Sequence, residues 1–110
     1  MMWSSLFTDK ALTDGETYWT EPAILSDGLN VHAYEYTLTG AGTITITPYT
    51  SISGMSWISN GLTSDGIGAS SGPESDGKDI VPLRLKPGDQ IKFKVVATGA
   101  PVLTLWFDQK

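Results

Sequence analysis

The sequence predicts an all-β fold, a single-domain β-sandwich of jelly-roll-like type with about eight mostly antiparallel strands. Apolar residues recur with period two along several stretches, and no window shows the apolar spacing of an amphipathic helix. Twelve glycines and six prolines punctuate these stretches. With 110 residues the chain is long enough for one domain, residues 1–110, around one hydrophobic core.

The predicted strands follow one another at intervals of about 8 to 14 residues, as is typical of sandwiches. They are expected at residues 3–8, 16–20, 30–39, 43–49, 55–59, 79–86, 90–98 and 101–108. In strand 90–98, Ile91, Phe93 and Val95 alternate with lysines, which predicts one buried and one solvated face. The basic residues assigned to a solvated face are Arg84, Lys86, Lys92 and Lys94.

Glycine-containing turns separate the strands. Gly40-Ala41-Gly42 predicts a hairpin between strands 30–39 and 43–49, because glycine accepts the positive φ that such loops need. At residues 86–89 a tight two-residue loop would place Leu83 and Ile91 on opposite faces. We therefore expect either a bulge there or a crossing from one sheet to the other. Asp-Gly steps, which favour turns, occur at 14–15, 27–28, 65–66 and 76–77.

Residues 60–78 are rich in Gly and Ser and predict a long loop, with two large apolar residues, Leu62 and Ile67. Loops of this length are uncommon in small domains unless they are functional or disordered. Two interpretations stay open: a surface loop with a short strand near Ile67, or a segment that becomes ordered against a partner subunit.

Acidic residues crowd the same region and could offer oxygen ligands to calcium, although their spacing matches no EF-hand. They are Asp65, Glu74, Asp76 and Asp79. Calcium binding there stays open, and no other metal and no cofactor is expected.

Composition excludes several classes of function. Without cysteine there is no disulfide, thiolate metal site or cysteine nucleophile. A net charge of −5 with no basic run argues against nucleic acid as a partner. No apolar run is long enough for a membrane helix, and no signal peptide is visible. His32 is the only histidine and alternates within a predicted strand, so we expect a packed residue and no enzyme.

Aromatic residues are the strongest functional indication, since the chain has four Trp and four Tyr. Exposed Trp and Tyr side chains stack on sugars and dominate subunit interfaces, whereas buried ones fill the core. The candidate interface or ligand residues are Trp19, Tyr49, Trp57, Ile67 and Trp106.

The run Gly42–Trp57 (GTITITPYTSISGMSW) joins a Thr-rich strand to a Gly-x-x-Trp turn; a polar loop, a Leu-rich strand and two final strands follow. In this order the chain, from Val31 to Gln109, resembles small β-sandwich proteins of the virions of tailed phages and prophages. The resemblance implies a capsid decoration or cementing subunit, a homo-oligomer (trimer favoured) that contacts capsid protein. It also implies a location in the virion, or in the host cytoplasm before assembly.

Carbohydrate-binding sandwiches share the same sequence features. The alternative function is therefore a carbohydrate-binding module that uses Trp19, Tyr49 or Trp57 as a stacking platform.

Overall fold

The structure is a computed structural model that describes residues 2–24, 30–59, 68, 70–75, 83–84 and 88–109. Every secondary-structure element in these residues is a β-strand, which confirms the all-β class. The strands are β1 (Met2–Ala11), β2 (Thr17–Trp19), β3 (Ala23–Ile24), β4 (Asn30–Thr39), β5 (Gly42–Ser51), β6 (Ile58–Ser59), β7 (Ser70–Ser75), β8 (Leu83–Arg84), β9 (Gln90–Gly99) and β10 (Val102–Gln109).

Two antiparallel sheets contain these strands. Sheet A has the order β1–β10–β4–β7, and β8 also pairs with β4. Sheet B has the order β2–β9–β5–β6, and β3 also pairs with β9. Strands β3 and β7 were not predicted from the sequence, and the predicted strand at 55–59 is reduced to the two residues of β6.

One hydrophobic core joins the inner faces of both sheets. Sheet A contributes Leu103 and Leu105, and sheet B contributes Phe93 and Val95, all without exposed surface. Burial of each such side chain stabilises the fold by about 1.5 to 3 kcal/mol. The inward direction predicted for alternate residues of β9 is confirmed, and the two sheets form a β-sandwich-like arrangement.

The hairpin predicted at Gly40-Ala41-Gly42 is wrong. Strand β4 belongs to sheet A and β5 to sheet B, so these residues carry the chain from one sheet to the other. A second corner returns the chain from β9 to β10, and the Ala100 N–H donates to the Ala41 carbonyl at 2.9 Å. Gly40 has φ +87°, which suits an inter-sheet corner as well as a hairpin, so the residue type could not distinguish them.

Of the two alternatives expected at residues 86–89, a bulge or a crossing between sheets, the structure has the crossing. Strand β8 pairs with β4 in sheet A, and β9 lies in sheet B. Gly88 has φ +89°, the conformation that favours glycine in a turn.

The predicted loop at 60–78 is wrong for Ser70–Ser75, which form β7 and pair with β4. Among the described strands β7 lies at the edge of its sheet, where Gly72 and Pro73 are tolerated because one side of the strand needs no partner. Ile67 and the possible short strand around it lie outside the described residues.

Strand β1, at the other edge of sheet A, carries irregularities between Ser5 and Phe7 and between Phe7 and Lys10. Within the second of them Asp9 has φ +44°, and its N–H donates to the Thr104 hydroxyl at 3.0 Å. Bulges twist an edge strand and hinder its pairing with another chain.

Candidate functional site

The outer face of sheet B carries aromatic rings and lysine side chains on three neighbouring strands. Trp19 pairs with Lys94, and Tyr49 pairs with Lys92. These side chains alternate with the buried Phe93 and its neighbours, so the pleat directs them away from the core.

The rings and ammonium groups contact one another closely. The Trp19 and Tyr49 ring centroids are 4.9 Å apart at 70°, an edge-to-face arrangement. The Lys92 Nζ atom lies 4.4 Å from the Trp19 centroid and 4.3 Å from that of Trp57, so its ammonium group contacts both indoles. The Lys94 Nζ atom lies 5.7 Å from the Tyr49 centroid. We call these five residues the aromatic–lysine cluster.

The solvated face expected for strand β9 therefore needs correction. Lys92 and Lys94 are half-buried, and both ammonium groups lie over rings. Cation–π attraction and contact with the aliphatic stem explain why a lysine covers an aromatic surface here. The side chains of Arg84 and Lys86 lie outside the described residues.

Thr20 fixes the position of Trp19 at the end of β2. Its N–H donates to the Phe93 carbonyl at 3.0 Å, and its Oγ1 accepts from the Phe93 N–H at 2.9 Å. Thr20 is 3% exposed, so both hydrogen bonds are shielded from water. The chain next to Trp19 is thereby attached to β9, where Trp19 pairs with Lys94.

A bent loop between β5 and β6 positions Trp57. The Ser51 Oγ accepts from the Gly54 N–H at 2.8 Å, and the Trp57 Nε1–H donates to the Gly54 carbonyl at 3.2 Å. Gly54 has φ +79°, a conformation that glycine adopts without strain. These contacts hold the indole against Lys92, and they explain why the strand predicted from residue 55 begins only at Ile58.

The same loop and the first residue of β6 expose large apolar side chains. Ile52 and Met55 are 86% and 89% exposed, and Ile58 is 68% exposed. We call these three residues the apolar rim; they lie at the end of sheet B where Ser51 pairs with Gln90. In the described residues the exposed large hydrophobic side chains are these three and Trp19, which is 44% exposed. A grouping of this kind is typical of interaction surfaces.

The structure thus brings together three of the five candidate residues, Trp19, Tyr49 and Trp57. Trp106 is half-buried on β10 and alternates with the core residue Leu105, so it lies on the outer face of sheet A, away from the cluster. Ile67 lies outside the described residues.

Sequence reasoning missed both lysines and the apolar rim as parts of the site. In the sequence the lysines look like ordinary solvated residues, because they alternate with apolar residues along one strand. Their proximity to the rings depends on pairing between strands that are far apart in the sequence. For the rim a signal was present, since Ile52 and Met55 interrupt a Ser- and Gly-rich segment.

Within the part of the chain that the structure describes, no group of three or more His, Cys, Asp or Glu residues could hold a metal ion. Glu74 lies in β7, and the other acidic residues considered for calcium, Asp65, Asp76 and Asp79, lie outside that part. The described segments also contain no helix long and apolar enough to cross a membrane.

Comparison with known proteins gives no relative. No protein-family model, no curated protein and no solved structure matches the chain. The resemblance to virion-associated sandwiches consequently stays a prediction. The geometry of the surface is the basis of the function proposed below.

Proposed function

We propose that the protein is a non-enzymatic structural subunit, a jelly-roll-like sandwich that assembles with further copies of itself. The contact surface is the apolar rim together with the neighbouring Trp57. The observation that carries this proposal is the exposure of Ile52 and Met55, which leaves nearly the whole of two large apolar side chains in water. Exposed apolar groups of this kind are unfavourable in an isolated subunit and favour association.

Association would remove these groups from water. Complete burial of an Ile or Met side chain contributes about 1.5 to 3 kcal/mol. Trp57 is already held by its hydrogen bond to Gly54 and by Lys92, so little conformational entropy is lost when a partner covers it. Tryptophan is also among the residues that dominate interface energies.

The run from Gly42 to Trp57 supports a more specific form of the proposal, in which the assembled subunits decorate or cement a viral or prophage capsid. In that role the protein works through buried contact area and needs no reactive group. Its sites of action would be the virion and, before assembly, the host cytoplasm.

Light scattering across a size-exclusion peak tests the assembly, at protein concentrations about a hundredfold apart. We expect a fixed oligomer, with a trimer favoured, at both concentrations. The double variant Ile52→Ser, Met55→Ser should become monomeric and keep its near-ultraviolet circular dichroism. Thr98→Ser, at an exposed position near the other end of sheet B, is the matched control. A native chain that is monomeric at both concentrations contradicts the proposal.

A second candidate function is carbohydrate binding. It is favoured by the position of Trp19, Tyr49 and Trp57 on one surface, where rings could stack on the C–H faces of sugars. Titration of the protein with a panel of polysaccharides, followed by tryptophan fluorescence, tests it. If no polysaccharide of the panel shifts the tryptophan fluorescence, carbohydrate binding is contradicted.

A further inference from the structure

We propose that the aromatic–lysine cluster binds an acidic saccharide, that is, a chain of pyranose rings bearing carboxylates. The proposal rests on the second candidate function and names its ligand class. Its carrying observation is that the Lys92 ammonium group lies over the exposed indole of Trp19 and the Lys94 ammonium group over the adjoining Tyr49 ring, on a chain whose net charge is −5.

The indole of Trp19 supplies the stacking surface. It is 44% exposed, and the edge-to-face contact with Tyr49 and the hydrogen bonds of the adjacent Thr20 hold it in place. A rigid, exposed ring loses little entropy when a sugar stacks on it. A pyranose ring presents the weakly polarised C–H groups that suit such a ring.

Lys92 and Lys94 supply the charge selectivity. The contacts that the structure gives their ammonium groups are with aromatic rings, and none is with a carboxylate of the described residues. An ammonium group has three N–H donors, so its contact with a ring leaves donors for a carboxylate of the ligand. The lysines are two residues apart on one strand, and their backbones are separated by roughly 7 Å.

This number of cations favours a saccharide over a nucleic acid. A nucleic acid carries one phosphate per nucleotide, and proteins that bind it neutralise several of these charges. The cluster offers two ammonium groups on a chain with an excess of carboxylates, which repels a dense polyanion. A saccharide chain can carry carboxylates on only some of its rings, whereas every nucleotide carries a phosphate, and its pyranose rings present an apolar face to Trp19.

Isothermal titration with a galacturonate hexamer, its fully methyl-esterified counterpart and a thymidine oligonucleotide tests the inference. We expect the native protein to bind the acid at least about tenfold more tightly than the ester, because two charge-assisted hydrogen bonds are lost with the ester. The double variant Lys92→Gln, Lys94→Gln should remove this preference.

Lys10→Gln is the matched control, because Lys10 also lies over rings, 5.5 Å from Phe7 and 5.3 Å from Tyr18, but outside the cluster. The affinity of the Lys10→Gln variant should stay within about twofold of the native value, because the two rings that the Lys10 ammonium group contacts are not part of the cluster. Near-ultraviolet circular dichroism checks that each variant is folded.

Equal binding of the acid and the ester overturns this inference but leaves carbohydrate binding in place. Absence of binding to every saccharide overturns both, and tighter binding of the oligonucleotide overturns the ligand class. Light scattering on the same samples reports separately on assembly. A protein that forms an oligomer but does not bind the acidic saccharide contradicts this inference and leaves the proposed assembly in place.

Discussion

Gly42 and Gly99 pair with each other where the chain changes sheet, and neither position has room for a side chain. A Cβ atom on Gly99 would lie 2.7 Å from the Ala41 carbonyl oxygen, and one on Gly42 would collide with the Thr98 carbonyl oxygen. Their φ angles, +136° for Gly42 and +81° for Gly99, also disfavour other residues. The two inter-sheet corners can approach each other because both positions are glycine.

Replacement of Gly42 by Ala should therefore lower the free energy of unfolding by about 3 kcal/mol, from backbone strain and the collision with backbone atoms. Urea denaturation measures the loss. Gly88→Ala is the control, since Gly88 also has a positive φ, +89°, but nothing within 4 Å of an added Cβ, and it should lose about 1 kcal/mol. Equal losses of unfolding free energy in the two variants would show that the close approach of the corners does not determine the cost of replacing Gly42.

The residue alternation of the sequence predicted which side chains are buried more reliably than it predicted which strands pair. Phe93 and Val95 are buried as expected, because period two reports directly on which face of a strand meets the core. Strand β7 was missed because an edge strand with Gly72 and Pro73 contributes no such pattern. The glycines at residues 40 and 42 fit a hairpin and a corner equally.

The candidate site was predictable only as a set of unconnected rings. Trp19 and Tyr49 lie on strands that are separated by β9, and their contact depends on a register that alternation does not specify. Lys92 was therefore assigned to solvent, although it lies between two indoles.

Thr20→Val should lower the free energy of unfolding by about 1 to 3 kcal/mol, because the buried Phe93 N–H would lose its acceptor. Thermal or urea denaturation measures this change. Thr17→Val, at the exposed first residue of β2, should change stability by no more than about 0.5 kcal/mol. If both variants lose the same amount, the Thr20 hydroxyl does not anchor β2.

Lys92→Met keeps a long apolar side chain but removes the charge between the two indoles. Each cation–π contact contributes about 0.5 to 1 kcal/mol, so we expect the free energy of unfolding to fall by about 1 kcal/mol. The tryptophan emission spectrum should change as well. Lys10→Met is the control, because its contacts at 5.5 and 5.3 Å are longer than those of Lys92. A larger loss for Lys10→Met would contradict the importance of the Lys92 contacts.

Trp57→Ala should impair assembly more than folding. Trp57 is half-buried and lies outside the described core, so we expect a loss of stability below about 2 kcal/mol together with dissociation of the oligomer. Leu105→Ala, at a position without exposed surface, should instead lose about 2 to 5 kcal/mol. An unfolded Trp57→Ala variant would make Trp57 a structural residue of the fold.

The sheet order has a consequence for how the chain acquires its structure. Strand β10 lies between β1 and β4, and β9 lies between β2 and β5, so each early strand is joined to its sheet by a partner late in the sequence. Pairing over such separations closes long loops, and chains of this kind fold over milliseconds to seconds. On the ribosome, β4 can pair with β7 and β8 before β10 exists, but β1 meets its partner only after residues 102–109 have been synthesised, so sheet A is completed only when nearly all the described chain has been made.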